Sequence, residues 1–102
     1  MVTVEDAQRV ATDVARPSWD KGTFMIAEVF EDEDYYAVVF GAREWFIDGD
    51  ESFIRIGDWP VFVDKETGES VIPQGVTGIL DVLDYLDHMT EVINWFKDSP
   101  EQ

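Results

Sequence analysis

The sequence predicts an α+β domain: an N-terminal helix, an antiparallel β-sheet of four to five strands, and a C-terminal helix packed on that sheet. Apolar residues recur at helical spacing near both ends of the chain, and short runs of strand-forming residues occupy the middle. The resulting order, α-β-β-β-β-β-α, favours antiparallel pairing with helices packed on the sheet. A chain of 102 residues matches one domain. We place this domain at residues 1–97 and expect a frayed tail over 98–102.

Residues 4–15 are predicted to form the first helix. Thr3 can accept a hydrogen bond as the N-cap, and Asp6 stands three residues later in the position of a capping box. Pro17 biases Arg16 away from helical geometry and so marks the end of the helix. The apolar stripe of this helix consists of Val4, Ala7, Val10, Ala11 and Val14.

Residues 23–30 and 35–40 are predicted to form a β-hairpin. Both runs are rich in strand formers, and the four acids of Glu31–Asp34 join them. Because both faces of these runs are apolar, the pair should lie inside the sheet, with a helix covering one face.

The segment after this hairpin is ambiguous. Residues 41–47 are either a short strand that ends at the Asp48-Gly49 turn or an irregular loop, and we favour a strand-like segment. An acidic loop, Asp48–Glu51, would follow it, and a short strand over 53–56 would come next.

Residues 59–64 and 70–72 are predicted to form a second hairpin. The link Lys65–Glu69 contains Gly68, which suits the positive-φ position of a bulged turn. Pro60 has no N–H to donate to a neighbouring strand. It should therefore stand at a strand start or on a sheet edge.

Residues 78–97 are predicted to form the second helix, with Thr77 as its cap. Steps of about 100° per residue place Trp95 close in angle to Asp84 and His88 on a polar arc that also holds Glu91. The apolar stripe on the other side consists of Ile79, Val82, Leu86, Met89, Ile93 and Phe96.

The charge of the chain is strongly acidic. Asp and Glu number 23 against 7 Lys and Arg, a formal net charge of -16, yet the hydrophobic fraction of 45% is sufficient for a core. The acidity should therefore lie on a folded surface, where it attracts basic proteins and repels nucleic acid and anionic membranes. With no cysteine, no signal-peptide pattern and no apolar run of membrane-spanning length, we expect a cytoplasmic protein.

Catalytic and metal chemistry find little support in the sequence. His88 has Asp84 at i−4 and Glu91 at i+3, but such pairs are common on solvated helices. The acids of Glu31–Asp34 and Asp48–Glu51 are ligands of the type that Ca²⁺ prefers, although neither follows the spacing of an EF-hand loop. We expect no enzyme activity, no catalytic residue, no metal site and no cofactor.

A docking surface for a basic protein is the functional interpretation of the acids, and a merely solvated face is the alternative. Tryptophans among the charges favour docking, because Trp dominates binding hot spots. Trp45 could equally be a core residue, whereas Trp19 and Trp59 are assigned to the core or to strand flanks. The predicted partner-binding residues are Glu31, Asp32, Glu33, Asp34, Trp45, Asp48, Asp50, Glu51, Asp84, Glu91 and Trp95.

Much of the chain, roughly residues 4–87, resembles the immunity protein 35 family, which includes YrhB-like proteins. The resemblance rests on Tyr36–Trp45, on Asp48-Gly49-Asp50, and on residues 56–69, which are similar to the family's hairpin pattern G-x-x-P-hydrophobic-x-V-D-x-x-T-G. The heavier acidic load and the longer predicted second helix depart from the family pattern.

This resemblance implies a small cytoplasmic antidote that binds and blocks a cognate polymorphic toxin by occlusion, without catalytic residues of its own. A basic toxin, such as a nuclease or a NAD-consuming enzyme, is the expected partner, and the protein itself should be a monomer or a weak homodimer. The alternative that the resemblance allows is a chaperone-like or general protein-binding module that binds many clients weakly.

Overall fold

The computed structural model describes residues 2–53 and 60–94 and has an α+β fold. An N-terminal helix, a five-stranded antiparallel sheet and a C-terminal helix are present, as the sequence predicts. The helices are α1 (Val4–Ala15), α2 (Arg43–Phe46) and α3 (Ile79–Asp87), and the strands are β1 (Phe24–Glu31), β2 (Tyr35–Ala42), β3 (Val61–Asp64), β4 (Ser70–Val71) and β5 (Thr90–Asn94).

Helix α1 has the bounds and the cap that the sequence predicts. The Asp6 amide donates to Thr3 Oγ1 over 3.1 Å, and the Thr3 amide donates to Asp6 Oδ2 over 3.0 Å, so both bonds of the capping box are present. Pro17 stands in a single 3₁₀ turn, residues 16–18, that follows the helix. The predicted bias of Arg16 away from helical geometry is wrong, because Arg16 has helical backbone angles, φ −57° and ψ −42°. The two capping bonds give partners to two backbone amides at the start of the helix that have none within it.

The sheet has the strand order β4-β3-β2-β1-β5, and every neighbouring pair is antiparallel. The β1–β2 hairpin lies inside the sheet, as predicted, because β3 extends it on one side and β5 on the other. A bulge between Ile26 and Glu28 shifts the β1–β2 register by one residue.

The two long helices, α1 and α3, lie on opposite faces of the sheet. Adjacent residues of a strand point to opposite sides, and the neighbours Phe62 and Val63 belong to different cores. One core contains Ala7 and Ala11 of α1 together with four sheet residues, Val29, Tyr36, Val38 and Val63. The other core joins α3 and the residue after it to the opposite face. Its members are Tyr85, Leu86, Met89, Phe30, Tyr35, Ala37 and Phe62.

The prediction for residues 41–47 is wrong. Strand β2 ends at Ala42, and Arg43–Phe46 turns into the short helix α2. The Phe46 ring folds back onto Gly41, where an added Cβ would lie 2.5 Å from it. This contact leaves no room for a side chain at position 41, and the Phe46 ring packs against the end of β2 instead of extending the strand.

The second hairpin is confirmed in shorter form. Strand β3 pairs with β4 through Phe62↔Val71 and Val63↔Ser70, and Gly68 has the expected positive φ of 78°. Pro60 directly precedes β3. Of the predicted strand over 53–56, Phe53 closes a 3₁₀ turn, whereas 54–56 lie outside the described residues, as does Trp59.

The second helix is shorter than predicted, and this correction changes the fold. Helix α3 ends at Asp87, and Thr90–Asn94 forms β5, which pairs with β1. Pairing with an otherwise open strand edge outweighs the helical spacing of the apolar residues. The N-cap of α3 is Gly78 rather than the predicted Thr77. The amide and hydroxyl of Thr77 instead donate to Asp81 Oδ2. Residues 95–97 and the predicted tail over 98–102 lie outside the described residues.

Candidate functional site

The two acidic loops lie at opposite ends of the sheet. Glu31–Asp34 spans the turn from β1 into β2, whereas Asp48–Glu51 follows the far end of β2 through α2. Strand β2 has eight residues, which rise about 3.3 Å each, so the loops are on the order of 25 Å apart. The predicted acids therefore form two separate surfaces.

The first surface is a groove at the hairpin end of the sheet, with a volume of about 580 Å³. Pairing of β2 with β3 brings the β1–β2 loop beside the β3–β4 turn, and the Lys65 amide donates to the Asp34 carbonyl over 2.9 Å. We call this feature the hairpin groove. It is lined by Val2, Glu31, Glu33, Asp34, Tyr35, Tyr36, Asp64, Lys65 and Glu66.

Asp32 belongs to the structure of the loop. Its Oδ1 accepts hydrogen bonds from the amides of Asp34 (2.8 Å) and Tyr35 (2.7 Å), an Asx-type turn that closes the hairpin. Its Oδ2 accepts from the Tyr85 hydroxyl over 2.9 Å, which ties the loop to α3. Burial, together with the bond to Asp32, raises the pKa of the Tyr85 hydroxyl above its usual value.

Lys65 provides a cation within this acidic groove. Its Nζ lies 2.6 Å from Glu31 Oε1 and 4.6 Å above the centre of the Tyr36 ring. A carboxylate beside an aromatic face is thus already arranged to hold an ammonium group. Glu33 and Asp34 are exposed at the rim, where a second cation from another molecule can reach them.

The second surface surrounds Asp48–Glu51. Asp50 Oδ1 accepts from the Ser52 hydroxyl (2.7 Å) and amide (3.0 Å), and these bonds lower the pKa of the Asp50 carboxyl. Asp50 therefore closes the 3₁₀ turn over 51–53, while Asp48 and Glu51 are exposed. Trp45 is half-buried in α2, so it is neither an open anchor nor a fully enclosed core residue.

The prediction that Asp84, Glu91 and Trp95 share one helix face, as a third surface, is wrong. Asp84 is exposed on α3, but Glu91 lies on β5 and Trp95 lies outside the described residues. The helix ends before Glu91, because the chain turns at His88 to enter the sheet. The acids that α3 does carry are Asp81, Asp84 and Asp87.

Glu91 instead forms a carboxyl pair with Glu28. Both residues lie on the α3 face of the sheet, and Asn94 Nδ2 donates to Glu91 Oε2 over 3.0 Å. Partial burial, followed by the hydrogen bond and charge of Glu91, raises the pKa of Glu28 above its usual value. Two acids that share this position repel each other when both are ionised.

His88 caps the C-terminal end of α3. Its Nδ1 lies 2.8 Å from the Asp84 carbonyl oxygen, and this bond, together with the nearby Asp84 and Asp87 charges, raises the pKa of His88. This bond is to the Asp84 backbone and not to its carboxylate. Within residues 2–53 and 60–94, no group of three or more His, Cys, Asp or Glu side chains is arranged to hold a metal ion.

Several contacts in and beside the hairpin groove were not predicted from the sequence. Lys65 and Glu31 are 34 positions apart, and Tyr85 and Asp32 are 53 positions apart. Only the pairing of β2 with β3, and the packing of α3 across the sheet, bring these side chains together. For Asp64 and Glu66 the sequence offers only a weak indication, namely their position in or beside the predicted second hairpin turn.

The fold and the groove define a small α+β domain with one helix on each face of a five-stranded sheet and a strongly acidic hairpin end. No family model, no characterised protein and no solved structure matches the chain. None of the helices in the described ranges is long and apolar enough to cross a membrane.

Proposed function

We propose that this chain is a cytoplasmic immunity protein that binds a cognate toxin with a basic surface and neutralises it by covering its active site or substrate cleft. The observation that carries this proposal is the hairpin groove. Acids from two separate turns converge there on a tyrosine face, and the groove already holds the ammonium group of Lys65. The same chemistry suits Lys or Arg side chains of a partner.

The overall charge supports the same proposal. A net charge of -16 accelerates encounter with a basic protein by electrostatic steering. Enzymes that act on nucleic acids or NAD need positive clefts to hold phosphates, so a toxin of this kind presents a complementary surface. Resemblance to the immunity protein 35 family in Tyr36–Trp45 and residues 56–69 points in the same direction.

The groove and the second acidic loop offer a matched pair of variants. Glu33→Lys/Asp34→Lys reverses two exposed charges at the groove, and Asp48→Lys/Glu51→Lys reverses two exposed charges at the other end of the sheet. Both variants change the net charge by the same amount. Neither removes the carboxylates of Asp32 and Asp50, which support their turns.

The test measures binding to the purified product of the gene next to the one that encodes this chain. We expect the groove variant to weaken binding at least about tenfold, with the loss mostly in association rate and dependent on salt, whereas the loop variant changes binding only slightly. Equal effects of the two variants would reject the groove as the contact surface. Lack of any binding by the unaltered protein would reject this gene product as the toxin partner.

A general protein-binding module is the second candidate function, because three aliphatic side chains of α3 are exposed. This alternative predicts weak binding to many unfolded clients and no single tight partner. Suppression of the aggregation of several unrelated unfolded proteins, without protection against the neighbouring gene product, would favour it over the immunity function.

A further inference from the structure

Helix α3 presents an apolar ridge to solvent. Ile79 is 53% exposed, Leu80 78% and Leu83 52%. Positions i, i+1 and i+4 of a helix lie on one side of it, so these three side chains form one continuous surface. We call this surface the α3 ridge.

The α3 ridge is not needed to hold the helix on the sheet. Val82 of α3 is fully buried, and Tyr85 and Leu86 pack against the sheet core around Phe62. The exposed side of a helix in a small domain is ordinarily polar, and single exposed apolar residues need no explanation. Three adjacent aliphatic residues on one short helix are instead typical of a contact surface.

The three charged residues of α3 are all acidic. Asp81, Asp84 and Asp87 are all exposed on α3, and the sequence from Glu66 through Phe96 contains no Lys or Arg. Asp81 is held in place by two bonds from Thr77, one of 3.0 Å from the amide and one of 2.8 Å from the hydroxyl. The ridge is therefore an apolar strip beside exposed acidic side chains of its own helix.

This charge pattern selects the occupant. A second copy of the chain would bring the acids of one α3 against those of the other, in addition to a net charge of -16 on each copy. Like charges placed together across an interface are unfavourable. An occupant with an aliphatic centre and a rim of Lys or Arg satisfies both parts of the surface.

We propose that the α3 ridge binds a basic amphipathic segment of the partner protein, with Leu80 and Leu83 as its apolar anchors and Asp81, Asp84 and Asp87 as partners of flanking cations. The proposal rests on the proposed function in taking the toxin as the natural source of that segment. Helix α3 also contacts the loop of the hairpin groove through the bond from Tyr85 to Asp32.

The chain offers matched variants for a test. Leu80→Gln/Leu83→Gln removes the apolar anchors and keeps helix propensity, since Leu and Gln have similar values. The control is Val14→Gln/Ile72→Gln, because Val14 is 49% and Ile72 58% exposed. These two residues line a separate groove beside β4, away from the α3 ridge.

The probe is a synthetic peptide of Leu and Lys whose sequence forms an amphipathic helix, titrated into the full chain at physiological salt. A peptide of the same composition in scrambled order measures attraction by charge alone. We expect the ordered peptide to bind more tightly than the scrambled one, and the ridge variant to lose about tenfold or more of that affinity while the control variant keeps it. Circular dichroism and melting temperature establish that both variants are folded.

Equal binding of the two peptides, or equal loss in the two variants, would overturn the proposal. A dimer that forms on concentration in sedimentation and disappears in the ridge variant would also overturn it, because the occupant would then be a second copy. The neighbouring gene product separates this proposal from the proposed function. If it binds and the ridge variant binds it equally well, the ridge proposal fails and the immunity function stands. If it does not bind but the ridge binds the ordered peptide, the ridge proposal stands and this gene product is rejected as the toxin partner.

Discussion

Helices α1 and α3 pack on opposite faces of the same sheet, yet they present opposite kinds of surface to solvent. Helix α1 buries Ala7, Ala11 and Ala15 and exposes charges of both signs, such as Glu5 and Arg9, with Val14 as its one largely exposed aliphatic side chain. Helix α3 exposes the aliphatic α3 ridge, and its charged residues are all acidic. The difference indicates that α1 serves mainly to cover the core, whereas α3 both covers the core and offers a surface for contact.

The helix starts differ in the same sense. Both bonds of a capping box hold the first turn of α1. The N-cap of α3 is Gly78, which has no side chain to accept a hydrogen bond from the first turn. The stability of α3 therefore depends on its packing against the sheet, and a short helix in water is marginal without such packing.

The largest effect is expected at β3, where adjacent residues support different helices. Phe62→Ala removes a fully buried ring that packs 5.5 Å from the Tyr85 ring beneath α3, and it should cost about 3–5 kcal/mol of unfolding free energy. Val63→Ala, on the α1 face, removes fewer atoms and should cost less. Urea denaturation measures both, and equal losses would contradict the dependence of α3 on packing.

The next effect concerns the α1 cap. Thr3→Ala removes the bond from the Asp6 amide and should cost about 1 kcal/mol. Thr12→Ala is the matched control, because its hydroxyl donates only to the Gln8 carbonyl within the same helix. A loss in the Thr12→Ala variant as large as that in Thr3→Ala would show that the cap itself is not the cause.

The carboxyl pair on the α3 face predicts a dependence on pH. The folded-state pKa of Glu28 is raised, so its ionisation disfavours folding and stability falls as pH rises from the unfolded pKa through the folded one. Glu28→Gln should therefore stabilise the protein at neutral pH by about 0.5 kcal/mol, after allowance for solvent screening. The gain should disappear in acid, where the wild-type carboxyl is protonated in both states. A gain in melting temperature that is the same at both pH values would contradict this account.

The smallest effect is a gain at the start of α3. Gly78 has an extended backbone, and no atom lies within 4 Å of where its Cβ would stand. Gly78→Ser can therefore supply the missing cap and should raise stability by a few tenths of a kcal/mol, on the order of the measured difference between these residues at N-caps. The measurement is the urea midpoint, and an unchanged or lower midpoint would show that α3 does not lack a cap.

Local signals predicted the parts of the fold that local chemistry determines. Helix α1 follows from the Thr3 cap and from Pro17, and the first hairpin follows from two apolar runs around an acidic turn. The ends of α2 and α3 depend on contacts distant in sequence. Phe46 folds onto Gly41, and β5 pairs with β1. The β-branched residues Thr90, Val92 and Ile93 are the signal for β5, but Ile93 also fits the helical spacing of Leu86 and Met89.

The candidate site was predictable only in part. The exposed acids Glu33 and Asp34 were predicted and line the hairpin groove. Lys65 was not, because its place beside Glu31 depends on strand pairing. The sequence prediction does not include the α3 ridge, since Leu80 and Leu83 fall outside the apolar stripe predicted to pack on the sheet. Apolar residues outside the packed stripe of a helix are themselves an indication of a contact surface. The projection at about 100° per residue that predicts the stripe also shows them.

Hydrogen–deuterium exchange of the protein with and without the neighbouring gene product tests the central claim most directly. We expect slower exchange on binding in residues 31–36 and 79–88, with no change in α1 or in Asp48–Glu51. Such a pattern would identify the hairpin groove and the α3 ridge as the two regions that contact the partner. Protection confined to α1 or to Asp48–Glu51 would contradict it.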